Sequence, residues 1–309
     1  MIDPFTVRVP ASTSNLGSGF DTVSAALSLY LRIRVEPIEG NRIEWVKGQQ
    51  PGSIFPAENN LVEKALEATL GLFGTKPPGL RISMDNPIPL QRGLGSSGAA
   101  IIAGIKIAES FCEKPLEPET VFELAYPLEG HPDNLAASLL GGWVLSRTSG
   151  GKMRAERLPS SLSCRFVLSI PEQTVSTREA RDILPESYSL SDVTYNLQRC
   201  ALLVHALHSG AEEMLREATS DHLHQPYRAR LVPGMEQLLN RKGLSRNLSQ
   251  SVLAVSISGS GSAAVALAKD HWQEIGEWMV KVFSDQGTRA SYQVLNLDSE
   301  GARVLTHDE

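Results

Sequence analysis

The sequence predicts an α+β fold built as two domains around a shared cleft, divided at residues 1–155 and 156–309. Three observations carry that expectation. A length of 309 residues suits about two domains. The first half opens on strand-like segments and then turns helical. The second half reads strand, helix, strand, strand, helix, strand, which is the split βαβ, ferredoxin-like order.

Each element has its own signal. Residues 6–10, 27–37 and 42–46 alternate and carry β-branched side chains, so they read as strands. Residues 60–73 place apolar side chains three and four apart, an amphipathic helix, and 79–84 returns to strand. The apolar residues 100–108 recur with helical spacing behind a glycine-serine loop. Residues 117–125 form a helix with Pro118 in its first turn and acidic residues at its positive end. A strand follows at 143–147, and Ser149-Gly150-Gly151 marks a hairpin turn or a domain edge. In the second half, strands are expected at 164–171, 252–258, 263–268 and 292–297, and helices at 192–207, 211–219 and 271–283.

Charge and cysteine usage exclude several classes. The net charge is −6 with no run of five basic residues, which disfavours a nucleic-acid partner. A nucleotide is a different matter, because amides and Mg²⁺ can hold it locally. Cys112, Cys164 and Cys200 lie far apart without CxxC spacing, so inert buried thiols are expected. Residues 1–9 lack a basic start and an apolar core, so no leader peptide is expected. The apolar stretch 251–268 is broken by Ser256, Ser258, Gly259, Ser260, Gly261 and Ser262, which makes it strand, turn, strand and not a membrane span. A cytoplasmic protein with no membrane partner is the expectation.

Five segments could carry chemistry. Pro89-Leu90-Gln91-Arg92-Gly93-Leu94-Gly95-Ser96-Ser97-Gly98-Ala99 aims backbone N–H groups, two hydroxyls and a helix dipole at one spot, which suits a polyphosphate. No Gly-Lys-Ser/Thr follows, so this is not the P-loop; taken alone it reads equally as a capped helix. Ser12 to Asp21 crowds small polar residues around two glycines, where Asn15 and Asp21 could hold an amine and a hydroxyl, or simply close an Asx-rich turn. Glu129-Gly130-His131-Pro132-Asp133-Asn134 gathers groups that bind, charge or relay protons, and its last two residues suit a helix cap as well. Thr177 and Arg181 share a helix face, and Pro226-Tyr227-Arg228 supplies a second arginine for an anion. Gly259 and Gly261 in the second glycine-serine loop let backbone approach a ligand, or form a tight hairpin.

In this order the segments resemble the GHMP kinase superfamily, and within it the homoserine kinase family. The middle motif matches residues 89–99 and the third motif residues 258–262. The narrower hallmarks match around Asn15 to Asp21, Glu129 to Asn134, Ser176 to Arg181, and Pro226 to Arg228. Gly98 stands where alanine is commoner, and His224-Gln225 where an acidic residue is frequent.

The resemblance implies an N-terminal domain like ribosomal protein S5 domain 2 and a ferredoxin-like C-terminal domain. It implies ATP-dependent phosphorylation of the L-homoserine hydroxyl, the step committing homoserine to threonine, with Mg²⁺ and a possible homodimer. The loop of residues 89–99 would cradle the ATP phosphates, with Ser97 near the β/γ-phosphates and Mg²⁺. Glu123, eight residues before His131, would be the Mg²⁺ carboxylate, and Asn60 would sit near the base. Asn15, Asp21, His131, Arg181, Arg228 and Gly259 would form the homoserine pocket, with Thr177 facing the reacting groups. Two acceptors stand open for the hydroxyl proton, the γ-phosphate and Asp21. The alternatives are a kinase of another small alcohol and a non-catalytic ligand sensor with the same fold.

Overall fold

A computed structural model describes residues 3–47, 60–74 and 76–306; Met1 and Ile2 of the leader-peptide reading lie outside them. The first half contains β1 (Phe5–Asn15), β2 (Gly19–Ile38), β3 (Ile43–Lys47), α1 (Leu61–Phe73), β4 (Gly79–Asp85), α2 (Ser96–Glu109), α3 (Pro118–Glu129), α4 (Pro132–Leu140), β5 (Trp143–Ser149) and β6 (Lys152–Leu158). The second contains β7 (Arg165–Pro171), α5 (Thr177–Asp182), α6 (Leu190–Ser209), α7 (Glu212–Ala218), α8 (Gln225–Arg228), α9 (Met235–Leu239), α10 (Arg246–Ser251), β8 (Val252–Ile257), β9 (Ala264–Ala268), α11 (Trp272–Ser284) and β10 (Ala290–Leu295). The last element among the described residues is β11 (Arg303–Leu305).

The first sheet runs β11-β1-β2-β4-β3, with β5 on β2 and β6 on β5. Two departures from the sequence reading follow. The 155/156 division falls inside β6, and β11 returns to pair with β1, so the last residues complete the first sheet. The small polar residues read as a loop are mostly strand: β1 runs on to Asn15 and β2 starts at Gly19. The ladder there is set by pairing, with Thr13 opposite Ala25 and Ser14 opposite Ser24. Local propensity underrates such a strand because its residues lack β-branched bulk.

The second sheet has the order β10-β7-β9-β8, with all neighbours antiparallel, as the split βαβ order requires. Strand alternation divides β7 between two cores. Phe166, Leu168 and Ile170 join the cluster that includes the first domain, whereas Val167 faces Ile275, Met279 and Phe283 of α11. The two halves therefore share one apolar core instead of meeting through a wet interface.

Helix α2 is the centre of that core. None of its fourteen residues is exposed, and Ala99, Ile101, Ile102, Ile105 and Ile107 are fully buried. A helix apolar all round belongs in the middle of a fold. Gly104 makes the α1 crossing possible, since a Cβ there would lie 2.2 Å from the Val62 carbonyl oxygen. Gly104→Ala would gain about 1 kcal/mol in helix propensity. The clash is with backbone, and overpacking costs about 1–3 kcal/mol or more, so a net loss is expected. A lower urea midpoint with an unchanged slope would show it.

Candidate functional site

The loop of residues 89–99 is shaped by backbone freedom at Gly93 and Gly95, at φ 68° and 70°. A Cβ on Gly95 would sit 2.0 Å from the Ser12 hydroxyl, and one on Gly93 would sit 1.9 Å from the Ser258 carbonyl oxygen. Gly95 is the N-cap of α2 and supplies no side-chain cap, whereas α1, α5, α6 and α10 are all capped by Asn or Ser side chains. The first amide of α2 to find a backbone acceptor is that of Ala99, to Gly95 at 2.9 Å. The amides ahead of it have no intrahelical partner and form a ready anion site.

That helix end opens into a cavity of about 510 Å³. Of the predicted residues, Asn15, Asp21, Asn60, His131, Thr177, Arg181, Arg228 and Pro89 through Ser97 line it. Gly98 and Ala99 do not. Both are buried inside α2, with Gly98 against Asn134. Gly259 does not line the cavity either; its carbonyl oxygen accepts from Asn15 Nδ2 at 2.7 Å and Arg228 NH1 at 3.3 Å. Asn60 caps α1 by accepting from the Val62 amide at 3.1 Å, and its Nδ2 is buried without a partner among the described residues.

Glu123 is not in the cavity. It sits on the outer side of α3, half exposed, paired with Lys152 at 3.1 Å. The carboxylate that meets the loop is Glu129, which accepts from the Ser97 hydroxyl at 2.6 Å. Six helical residues separate the two, about 240° of rotation, so they cannot share a face. Counting eight residues back from His131 assumes a longer link than Gly130 provides. Burial pushes the Glu129 carboxyl above its usual range, with the Asp133 charge adding to it. A divalent cation would relieve that buried anion, and one carboxylate, one hydroxyl and substrate phosphates are the hard oxygen donors Mg²⁺ takes. No group of three or more His, Cys, Asp or Glu residues suited to a metal occurs among the described residues, so phosphate and water would complete the shell.

The opposite wall is a charged clamp spanning both halves. Arg181 NH2 donates to both Asp21 oxygens, at 2.8 and 2.9 Å, and the Asn15 side chain accepts the Asp21 amide at 2.9 Å. Arg228 is buried; its Nε donates to the Ala180 carbonyl at 3.0 Å. Burial first, and then the Arg181 charge, pulls its pKa down to about 10. It remains cationic. Burial and Arg181 likewise hold the His131 imidazole below its usual pKa.

Residues 60–142 match the family "GHMP kinases N terminal domain", and residues 201–277 match "GHMP kinases C terminal". The homoserine kinase of Persephonella marina is 36% identical over 300 residues, covering 96% of this chain and 97% of its own length. That of Caldicellulosiruptor bescii is 37% identical over 303 residues, covering 97% and 96%. The chain belongs to the homoserine kinase family of GHMP kinases. The homoserine kinase structure from Cytophaga hutchinsonii superposes with a TM-score of 0.83 at 28% identity, covering 99% of this chain and 98% of that one. A mevalonate kinase structure at 16% identity and a TM-score of 0.67 shares the fold.

Three residues in or beside the clamp escaped the sequence reading in role. Phe20 stacks on His224 at 5.0 Å and lies under both guanidinium groups, 5.6 Å from Arg181 and 5.1 Å from Arg228. His224 is fully buried, donates from Nε2 to the Gly17 carbonyl at 2.8 Å, and faces Arg228 through Nδ1. Burial keeps it neutral by lowering its pKa. Asp133 is buried in the cavity wall, and burial plus the Asp21 charge push its pKa up to about 6. All three fall inside or beside quoted motifs, but their roles need the third dimension.

Asp133 has a stability consequence. Its folded pKa of about 6 exceeds the ordinary 3.8, so its protonated form favours the folded state. That contribution is full below pH 4 and lost as pH rises through 6, about 3 kcal/mol at 1.36 kcal/mol per unit. Asp133→Asn should therefore gain stability over the native chain at pH 7.5 and little at pH 4, as urea melts at the two pH values would report.

Proposed function

We propose that the chain transfers the γ-phosphoryl group of ATP to the side-chain hydroxyl of L-homoserine, giving O-phospho-L-homoserine. The observation that carries this reading is one cavity holding both the uncapped start of α2, with Ser97 against Glu129, and the Arg181–Asp21 pair. An anion-binding helix end and a zwitterion clamp in one space fit a kinase for an amino-acid alcohol.

The residues divide the work. The free amides of α2 and the Ser97 hydroxyl receive phosphate oxygens, and the dipole of a buried helix offsets their charge. Glu129 and Ser97 would hold Mg²⁺, which neutralises charge on the β- and γ-oxygens when bound. Asp21 takes the ammonium and Arg181 and Arg228 the carboxylate, which fixes the hydroxyl toward the loop. Thr177, at the first turn of α5, borders the space where donor and acceptor meet. Phosphoryl transfer is accelerated chiefly by positioning and charge stabilisation.

The test is a coupled ADP-release assay with L-homoserine, mevalonate and shikimate in parallel, with ³¹P NMR of the product. Homoserine-dependent release and a phosphomonoester signal are expected; turnover only with another alcohol would reject the substrate. Arg181→Ala should weaken homoserine by about 1.5–3 kcal/mol, the scale of a charged hydrogen bond, seen as a raised KM. Glu129→Gln should cut kcat by about 100-fold or more, the scale of a lost charge stabiliser. Glu123→Gln should keep full turnover, and the reverse pattern would return the metal role to Glu123.

A further inference from the structure

Arg92 belongs to the phosphate loop in sequence, yet its side chain is turned onto the second domain. Nε donates to the Pro171 carbonyl at 2.8 Å, NH2 to Glu172 at 2.7 Å and NH1 to Leu90 at 3.1 Å. All three nitrogens are thus engaged with main-chain oxygens. The neighbouring loop atoms continue the seam. The Val175 amide donates to the Gln91 carbonyl at 3.2 Å, the Ala263 amide to Arg92 at 3.3 Å, and the Ser258 hydroxyl to Gly93 at 2.7 Å. From the other side the Ser262 hydroxyl holds the Gln173 carbonyl.

The segment held in this seam leads directly into the homoserine clamp. Residues 172–176 carry no regular secondary structure, and α5 follows at once with Thr177 and Arg181. Only Ala180 of α5 is buried, so apolar packing hardly fixes the helix. Its placement rests on its Ser176 cap, the Arg181–Asp21 pair, the bond from Arg228 to the Ala180 carbonyl and the tether to the phosphate loop.

Resting on the kinase reading above, we infer that Arg92 is a positioning residue coupling the nucleotide loop to the homoserine clamp. Nucleotide that orders residues 91–97 also orders 172–175 through the guanidinium, and so sets α5 before homoserine arrives. The ordering entropy is then already spent, and homoserine binds more tightly with nucleotide present, and nucleotide with homoserine, by the same factor. The geometry of the fork matters more than its charge. A lysine keeps the charge but cannot span three carbonyls at once.

The experiment titrates the full chain with L-homoserine, with and without a magnesium complex of a non-hydrolysable ATP analogue, by calorimetry. The native chain should bind homoserine at least 5-fold more tightly with the analogue, within the usual range of coupling. In Arg92→Lys and Arg92→Ala the ratio should fall toward one and the homoserine KM rise about 10-fold. Ser262→Ala, which frees Gln173 without altering the loop, should change coupling in the same direction and covers the case where Arg92→Ala does not fold. Coupling retained in Arg92→Lys, a 10-fold loss of analogue affinity in Arg92→Ala with coupling intact, or no coupling in the native chain would overturn the inference. Native turnover of homoserine, measured alongside, separates this failure from failure of the kinase reading.

Discussion

Helix α2 is enclosed by protein along its length, while its first turn carries no capping side chain, and that combination organises the cleft. Enclosure removes the water that would screen the helix dipole, so the partial positive charge at its start acts in a low-dielectric setting. An uncapped helix end is normally a defect, because its amides lack acceptors. Here the defect faces a cavity. Ser96 and Ser97 stand where a cap would be sought, but Asn86 donates to the Ser96 hydroxyl at 3.2 Å and Ser97 turns to Glu129. Neither hydroxyl satisfies the amides, so the site stays open for an anion that must bring its own oxygens.

Placing that end requires both halves of the chain. The two glycine-serine loops lie so close that neither Gly93 nor Gly259 has room for a side chain, with a Cβ on Gly259 coming 3.0 Å from the Gly93 carbonyl oxygen. Close backbone approach is what glycine allows. The same carbonyl of Gly259 then collects Asn15 from β1 and Arg228 from α8, three segments distant in sequence. A single acceptor thereby fixes a residue of the clamp relative to the loop opposite. The shared apolar core under the second sheet makes this a rigid juxtaposition and not a contact between independent bodies.

Much of this was legible in the sequence, for identifiable reasons. Glycine and serine clusters announce backbone geometry directly, so both loops were readable, as was the second-domain order from strand and helix periods. The spacing of Thr177 and Arg181 put them on one helix face, and both line the cavity. What could not be read were partnerships across sequence. Arg181 meets Asp21 at a separation of 160 residues, and Arg92 meets carbonyls 79 and 80 residues away. The choice between Glu123 and Glu129 turned on where α3 ends, and the rotation of a helix face depends on every residue before its terminus. Glu129, the carboxylate that meets Ser97, lies within the quoted motif, whereas Glu123 was named only from a spacing the resemblance implied.

The clamp places both signs of charge on one wall of the cavity. Asp21 and Arg181 pair with one another, while Arg228 is buried with Nε on the Ala180 carbonyl and NH1 on the Gly259 carbonyl. On the proposed reading an amino acid offers an ammonium to Asp21 and a carboxylate to the arginines, whereas a simple acid offers Asp21 nothing beyond what Arg181 already provides. In that pose each charge of the ligand would face its opposite, ammonium to Asp21 and carboxylate to Arg181 and Arg228. Phe20 keeps both guanidinium groups over one ring, and His224, neutral and stacked beneath, adds no competing charge. Selectivity of this kind comes from what the wrong ligand leaves unsatisfied as much as from what the right one touches.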